Sequence, residues 1–143
     1  MRADVELALR QQDHGTRIPF AVLHLQRGEH IGSTSFLHLE PNHRSVEIGS
    51  TWLGAEFHGS GINRECKALL LDVAFNELKV NRVMLQTDEL NVRSRRAIEK
   101  LGSRIEGVHR EHRIAWNGRV RSSAVYSILR REWVPQSDTP PAA

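Results

Sequence analysis

The alternation of apolar and polar positions divides the chain into short segments of two periods. Residues 2–12 carry a helical spacing around Val5, Ala8 and Leu9. Ile18 to Leu25 and Ile31 to Leu39 read as strands joined by a turn at Arg27-Gly28-Glu29, and Pro41-Asn42 breaks the second. Val46 to Leu53 is a third strand. The stretch Gly54 to Gly61 reads as a loop with three glycines, and a helix follows from Ile62 to Leu78. That helix carries a broad apolar side, Cys66, Leu69, Leu70, Val73 and Ala74, a width suited to packing on a sheet. Arg82 to Thr87 is a strand. Asn91 to Leu101 is a helix, closed by Gly102 at a natural C′ position. Arg104 to Ala115 and Val120 to Leu129 are strands, with Asn117-Gly118 as a two-residue hairpin signal. Three meandering strands followed by a strand–helix–strand–helix–strand run predict a mixed α/β (α+β) sheet.

At 143 residues the chain suits one domain, over 1–134, with a disordered Pro/Ser/Asp/Ala tail over 135–143. No run approaches the roughly 18 apolar residues of a membrane-spanning helix, and the N-terminus lacks the apolar core of a signal peptide. The expectation is therefore no membrane partner. The single cysteine, Cys66, excludes an internal disulfide framework and makes a reducing, cytoplasmic location the default. Net charge is only +3, with 17 Arg against 3 Lys. The arginines are scattered without interleaved aromatics, so a solvated surface is favoured over a nucleic-acid partner. No metal site is expected: His109 and His112 would fall on opposite faces of a regular strand, and Cys66 has no ligand-spaced partner.

The sharpest local signal is strand, then His58-Gly59-Ser60-Gly61, then helix. Glycines permit close backbone approach, and a helix start offers free N–H groups and a positive dipole end. An anion cradle and a flexible connection both fit. It is not a P-loop, because no Lys-Ser/Thr follows the last glycine. In the later helix Asn91 suits an N-cap, while Ser94 shares the inward face with Ala97, Ile98 and Leu101.

Several collinear blocks resemble the GNAT superfamily of N-acetyltransferases, in particular the branch with the ribosomal-protein N-terminal acetyltransferases. They are Ile31-Gly32-Ser33-Thr34, Glu47-Ile48-Gly49-Ser50-Thr51-Trp52-Leu53, Gly59-Ser60-Gly61-Ile62-Asn63-Arg64-Glu65-Cys66-Lys67 and Asn91-Val92-Arg93-Ser94-Arg95-Arg96-Ala97-Ile98. Leu101-Gly102, Glu106-Gly107, Asn117-Gly118-Arg119 and Tyr126-Ser127-Ile128-Leu129 complete the set, which runs from Ile31 to Trp133. Glu56 stands where the family's glycine turn has Gln or Arg. The resemblance implies a mostly antiparallel sheet with a splayed parallel strand pair, helices on both faces and a C-terminal hairpin. It implies acetyl transfer from acetyl-CoA to a primary amine, a protein N-terminus or a small molecule, by direct attack in a ternary complex. A non-catalytic acyl-CoA-binding module is the alternative.

Site roles follow from the same resemblance. Pantetheine would pair with the backbone at Thr51, Trp52 and Leu53, and pyrophosphate would sit on His58, Gly59, Ser60, Gly61, Ile62 and Asn63. Asn91, Ser94, Arg96 and Lys100 would complete coenzyme contacts. The basic stripe Arg93, Arg96 and Lys100, or else Arg64 or Lys67, could meet the 3′-phosphate. Ser94 or Tyr126 would protonate the departing thiolate. Glu47 would be the general base, with Glu106, Glu111 and the loop's His58 as other candidates; alternatively Glu47 is a strand-end carboxylate paired with an arginine such as Arg44. Only 30 residues precede Ile31, so the family's opening strand and first helix read as absent, and the exposed sheet edge there favours a homodimer.

Overall fold

The computed structural model describes residues 2–134. The expected tail at 135–143 lies outside the described residues. Helix α1 (Arg2–Asp13) leads into β1 (Arg17–His24), β2 (Glu29–Glu40) and β3 (Ser45–Leu53). Helix α2 (Ile62–Asp72) continues as a wider π turn, Val73–Glu77, and is followed by β4 (Arg82–Asp88) and α3 (Val92–Glu99). The hairpin β5 (Arg104–Ile114) and β6 (Val120–Leu129) completes the fold. The six strands form one sheet in the order β1-β2-β3-β4-β6-β5.

Among the described residues only β3 and β4 run parallel, and they pair over Ser45↔Arg82, Val46↔Val83 and Glu47↔Met84. Beyond Glu47 the two strands separate, which is the splay. Strand alternation assigns the faces. Phe36, Val46, Ile48, Val83, Leu85, Ala124, Tyr126 and Ile128 point to one face, where they share a core with Leu70, Leu71, Ala74 and Phe75 of α2 and Ile98 of α3. Ser35, alternating with Phe36, points to the other face. Arg17 donates to Ser35 at 2.7 Å and to Gln11 of α1 at 3.2 Å, so α1 lies over that second face. Helices therefore cover both faces, and Glu47, alternating with Val46 and Ile48, belongs to the α1 side.

Three local expectations are corrected. Leu69 is exposed, and Lys67 and Ala68 are buried on α2 in its place. The hairpin loop has three residues, 116–118: the Ala115 N–H reaches the Arg119 carbonyl at 2.8 Å, and Gly118 adopts φ +81°. A single left-handed residue makes this a type I turn followed by a glycine bulge, whereas a two-residue I′ turn needs two. Finally, β5 slips register between His109 and Arg113, with Glu111 at φ +50°. That bulge brings the His109 and His112 rings together at 5.1 Å, where regular alternation would have parted them.

Candidate active site

The splay is lined on the β3 side by Thr51, Trp52 and Leu53. Trp52 is exposed, while Leu53 packs against the small cluster of Val22, Ile31 and Phe57. The Thr51 hydroxyl lies 2.8 Å from that of Thr34 on β2. Lys67 rises from α2 beneath this pair and donates to both hydroxyls. At 6 % exposure it is in the core, so it is not placed to meet an exterior phosphate. Burial without an acidic partner pushes its ammonium down from 10.5 to about 8.

The glycine turn is built for close approach. Phe57 anchors its start in the small cluster. Gly59 and Gly61 take φ +76° and +89°, and a Cβ built on either meets nothing within 4 Å, so both face open space. Gly61 caps α2 with no side-chain hydrogen bond, which leaves first-turn N–H groups for an incoming anion. The Ser60 hydroxyl donates to the Phe57 carbonyl at 2.6 Å and accepts from the Ile62 N–H at 3.4 Å. Asn63 has a buried amide oxygen with no partner. His58 donates through Nε2 to the Leu53 carbonyl at 3.1 Å and accepts from Arg93 at 3.2 Å, which ties the start of α3 to the turn. Glu56 is held away from the cradle by Arg27 at 3.1 Å, and that guanidinium also lies 5.1 Å from the Phe57 ring centre. The turn thus suits a pyrophosphate despite its acidic residue.

On α3, the Asn91 side chain caps the helix by accepting from the Ser94 N–H at 3.0 Å. The Ser94 hydroxyl is half-buried and makes no hydrogen bond among the described residues. Arg96 and Lys100 are exposed on the outer side of the helix. Tyr126 is fully buried, with its hydroxyl donating to Glu99 at 2.9 Å and accepting from Arg95 at 2.9 Å. It therefore links α3 to β6.

Glu47 stands where β3 and β4 part. Its carboxylate is 3 % exposed, and its partners are neither Arg44 nor any other arginine. One oxygen accepts from Nδ1 of His38 at 2.7 Å, the other from the Gln86 amide at 2.9 Å. Sequence reasoning misses His38, because Leu37 is the residue opposite Glu47 in the ladder and simple alternation turns His38 away. On the far wall, His112 shares a hydrogen bond with Ser123 at 3.3 Å. Desolvation, with Arg113 and His109 beside it, pushes the His112 ring below its ordinary value, and Glu47 pulls weakly the other way. Of the other acids, Glu106 is paired with Arg82, which holds its carboxyl below the usual range, and Glu111 is exposed on the β5 bulge.

Arg2, Arg27, Arg82, Arg104 and Arg119 are each paired with a carboxylate, which consumes part of the basic surface. Among the described residues no three His, Cys, Asp or Glu side chains converge in a way that could hold a metal. Among them also, no helix is long and apolar enough to cross a membrane.

A family profile described as an acetyltransferase (GNAT) domain matches residues 1–104. A Bacillus subtilis (strain 168) protein provisionally named ribosomal N-acetyltransferase YdaF is 36% identical over 109 residues, 76% of this chain and 58% of that protein. The chain thus spans less than two thirds of that relative. A provisionally named acetyltransferase of known structure from T. thermophilus is 40% identical, with a TM-score of 0.82 over 92% of this chain and 67% of that one. A GCN5-related N-acetyltransferase from Brucella melitensis is 30% identical, with a TM-score of 0.82 over 93% of this chain and 60% of its own.

Proposed function

The chain belongs to the GNAT acetyltransferase family, and from that premise we propose that it moves an acetyl group from acetyl-CoA to a primary amine by direct attack. The observation that carries this reading is the splay, which opens at Glu47 and has the glycine turn at its other end. Acetyl-CoA, when bound, supplies an activated thioester. The backbone N–H groups of Thr51 to Leu53 hold it and polarise its carbonyl, and the turn over residues 58–63 takes the pyrophosphate. Arg96 and Lys100, exposed on α3, suit the 3′-phosphate.

Ser94 is the proton source for the departing sulfur. Its hydroxyl is unengaged and Asn91 fixes the turn that carries it, whereas the Tyr126 hydroxyl is occupied by Glu99 and Arg95. The Glu47 site takes the amine's proton. Cys66 is no nucleophile on this reading, because burial pushes its thiol up and away from the thiolate. The protein works in the cytoplasm, with its coenzyme. Its outermost strand β1, with no partner on its outer edge among the described residues, is where a second copy would pair.

The test is release of free thiol from acetyl-CoA in the presence of a panel of primary amines, including peptides with free N-termini. Turnover that falls by about 100-fold in Ser94→Ala and about 10-fold in Glu47→Gln supports the assignment. Wild-type rates in both variants overturn the roles. Coenzyme binding without turnover on any amine would make the chain an acyl-CoA-binding module.

A further inference from the structure

We propose that His38 is the group that takes the proton from the incoming amine, and that Glu47 acts through it as a positioning residue. This rests on the acetyltransfer reading above. Three observations carry it. First, Glu47 is enclosed: its side chain is 3 % exposed and both oxygens are engaged, one by His38 and one by Gln86. A solvent-borne amine would have to break one of those bonds to reach it. Second, the His38 side chain is 62 % exposed, and with Nδ1 bonded to Glu47 its Nε2 is the nitrogen left to accept a proton. A carboxylate below and a free Nε2 above is the arrangement that holds an imidazole in the tautomer needed by a general base.

Third, the backbone is deformed to make the pair. His38 adopts φ +48°, inside the register slip between Leu37 and Glu40, a left-handed conformation that a non-glycine residue adopts only under strain. The bulge turns the His38 ring onto the Glu47 face, which the regular ladder would have denied it. Across the cleft the β5 bulge carries His112, near enough to feel the Glu47 charge. His112 itself stands among His109, Arg113 and Arg121, while Glu47 is held by His38 and Gln86.

The proton account balances. The amine arrives as an ammonium ion and gives one proton to His38 Nε2. Its nitrogen then forms the bond to the acetyl carbon as the C–S bond breaks. As the adduct collapses its nitrogen gives up a second proton to water, Ser94 protonates the departing thiolate and is reprotonated from water, and His38 releases its proton to water, so one proton is set free per turnover.

The experiment compares wild type, His38→Gln and Glu47→Gln by kcat across pH 5.5–9, by acetyl-CoA affinity, and by ¹⁵N NMR of the histidine rings. His38→Gln is expected to lose about 100-fold in kcat and the acidic limb of the profile, with coenzyme affinity unchanged. Glu47→Gln is expected to lose about 10-fold in kcat and to keep the limb, because the imidazole remains. In wild type the neutral His38 ring should carry its proton on Nδ1, and in Glu47→Gln it should shift toward Nε2. His38→Gln turning over within about threefold of wild type, with Glu47→Gln inactive, gives the proton to Glu47 and overturns the proposal. A wild-type His38 protonated on Nε2 overturns it independently of activity. Absence of wild-type turnover on every amine is the separate failure of the acetyltransfer reading.

Discussion

A buried lysine facing two threonine hydroxyls and no acid should leave a mark on stability against pH. Lys67 is brought down from 10.5 to about 8 by loss of hydration. The folded state therefore disfavours the ammonium form. Below pH 8 both states are protonated, and the penalty is fully present, about 3 kcal/mol for a shift of this size. Between pH 8 and 10.5 the unfolded chain holds a proton that the folded chain has released, so stability rises with pH. Above that window both forms are neutral and the penalty is gone. From pH 7 to pH 10 most of that penalty is relieved, about 2–3 kcal/mol. The perturbation is Lys67→Met, which keeps the length and removes the charge, while Thr34 and Thr51 retain each other at 2.8 Å. Cys66 is the neighbour that couples to Lys67, so both proteins carry Cys66→Ala. Urea unfolding at pH 7, 8, 9 and 10 gives the difference between the two. The methionine protein should gain most at pH 7, and that gain should shrink by about 2–3 kcal/mol by pH 10. A difference that stays flat with pH would refute the reasoning, since it would mean the ammonium is hydrated.

Two further outcomes follow from packing. Gly32→Ala should destabilise the fold by about 2 kcal/mol in urea unfolding, because a Cβ there would lie 2.3 Å from the Trp52 carbonyl and 2.6 Å from a Leu53 methyl; unchanged stability would mean β2 and β3 can part at low cost. Tyr126→Phe should cost about 1–2 kcal/mol by removing the hydroxyl between Arg95 and Glu99, and should leave kcat nearly unchanged. A large kcat loss with intact stability would instead make Tyr126 the thiolate's proton source.

The elements are legible in the sequence because their periods are clean. The β3 and β4 strands, the α2 start after Gly61 and the Asn91 cap all declare themselves in local residue chemistry, and the collinear blocks fix their order. What escapes is what breaks a period. His38 and Glu111 sit at positive φ within strands, and each displaces a histidine from the face that alternation assigns. No residue type announces such a bulge, since neither position is glycine. Lys67 escapes because a lysine counts as polar in any helical stripe; its burial follows from the pair of hydroxyls on β2 and β3, which come together only in the folded sheet. Sequence proximity offers Glu47 an arginine partner, yet its partner comes from the neighbouring strand through that same bulge.

The most direct test of the central claim is calorimetric titration of acetyl-CoA into the full chain, with Gly61→Val in parallel. Saturable micromolar binding is the predicted result, lost in the variant because Gly61 stands at φ +89° over the cradle. No heat of binding in wild type, or equal affinity in both proteins, would contradict a coenzyme seated on that turn.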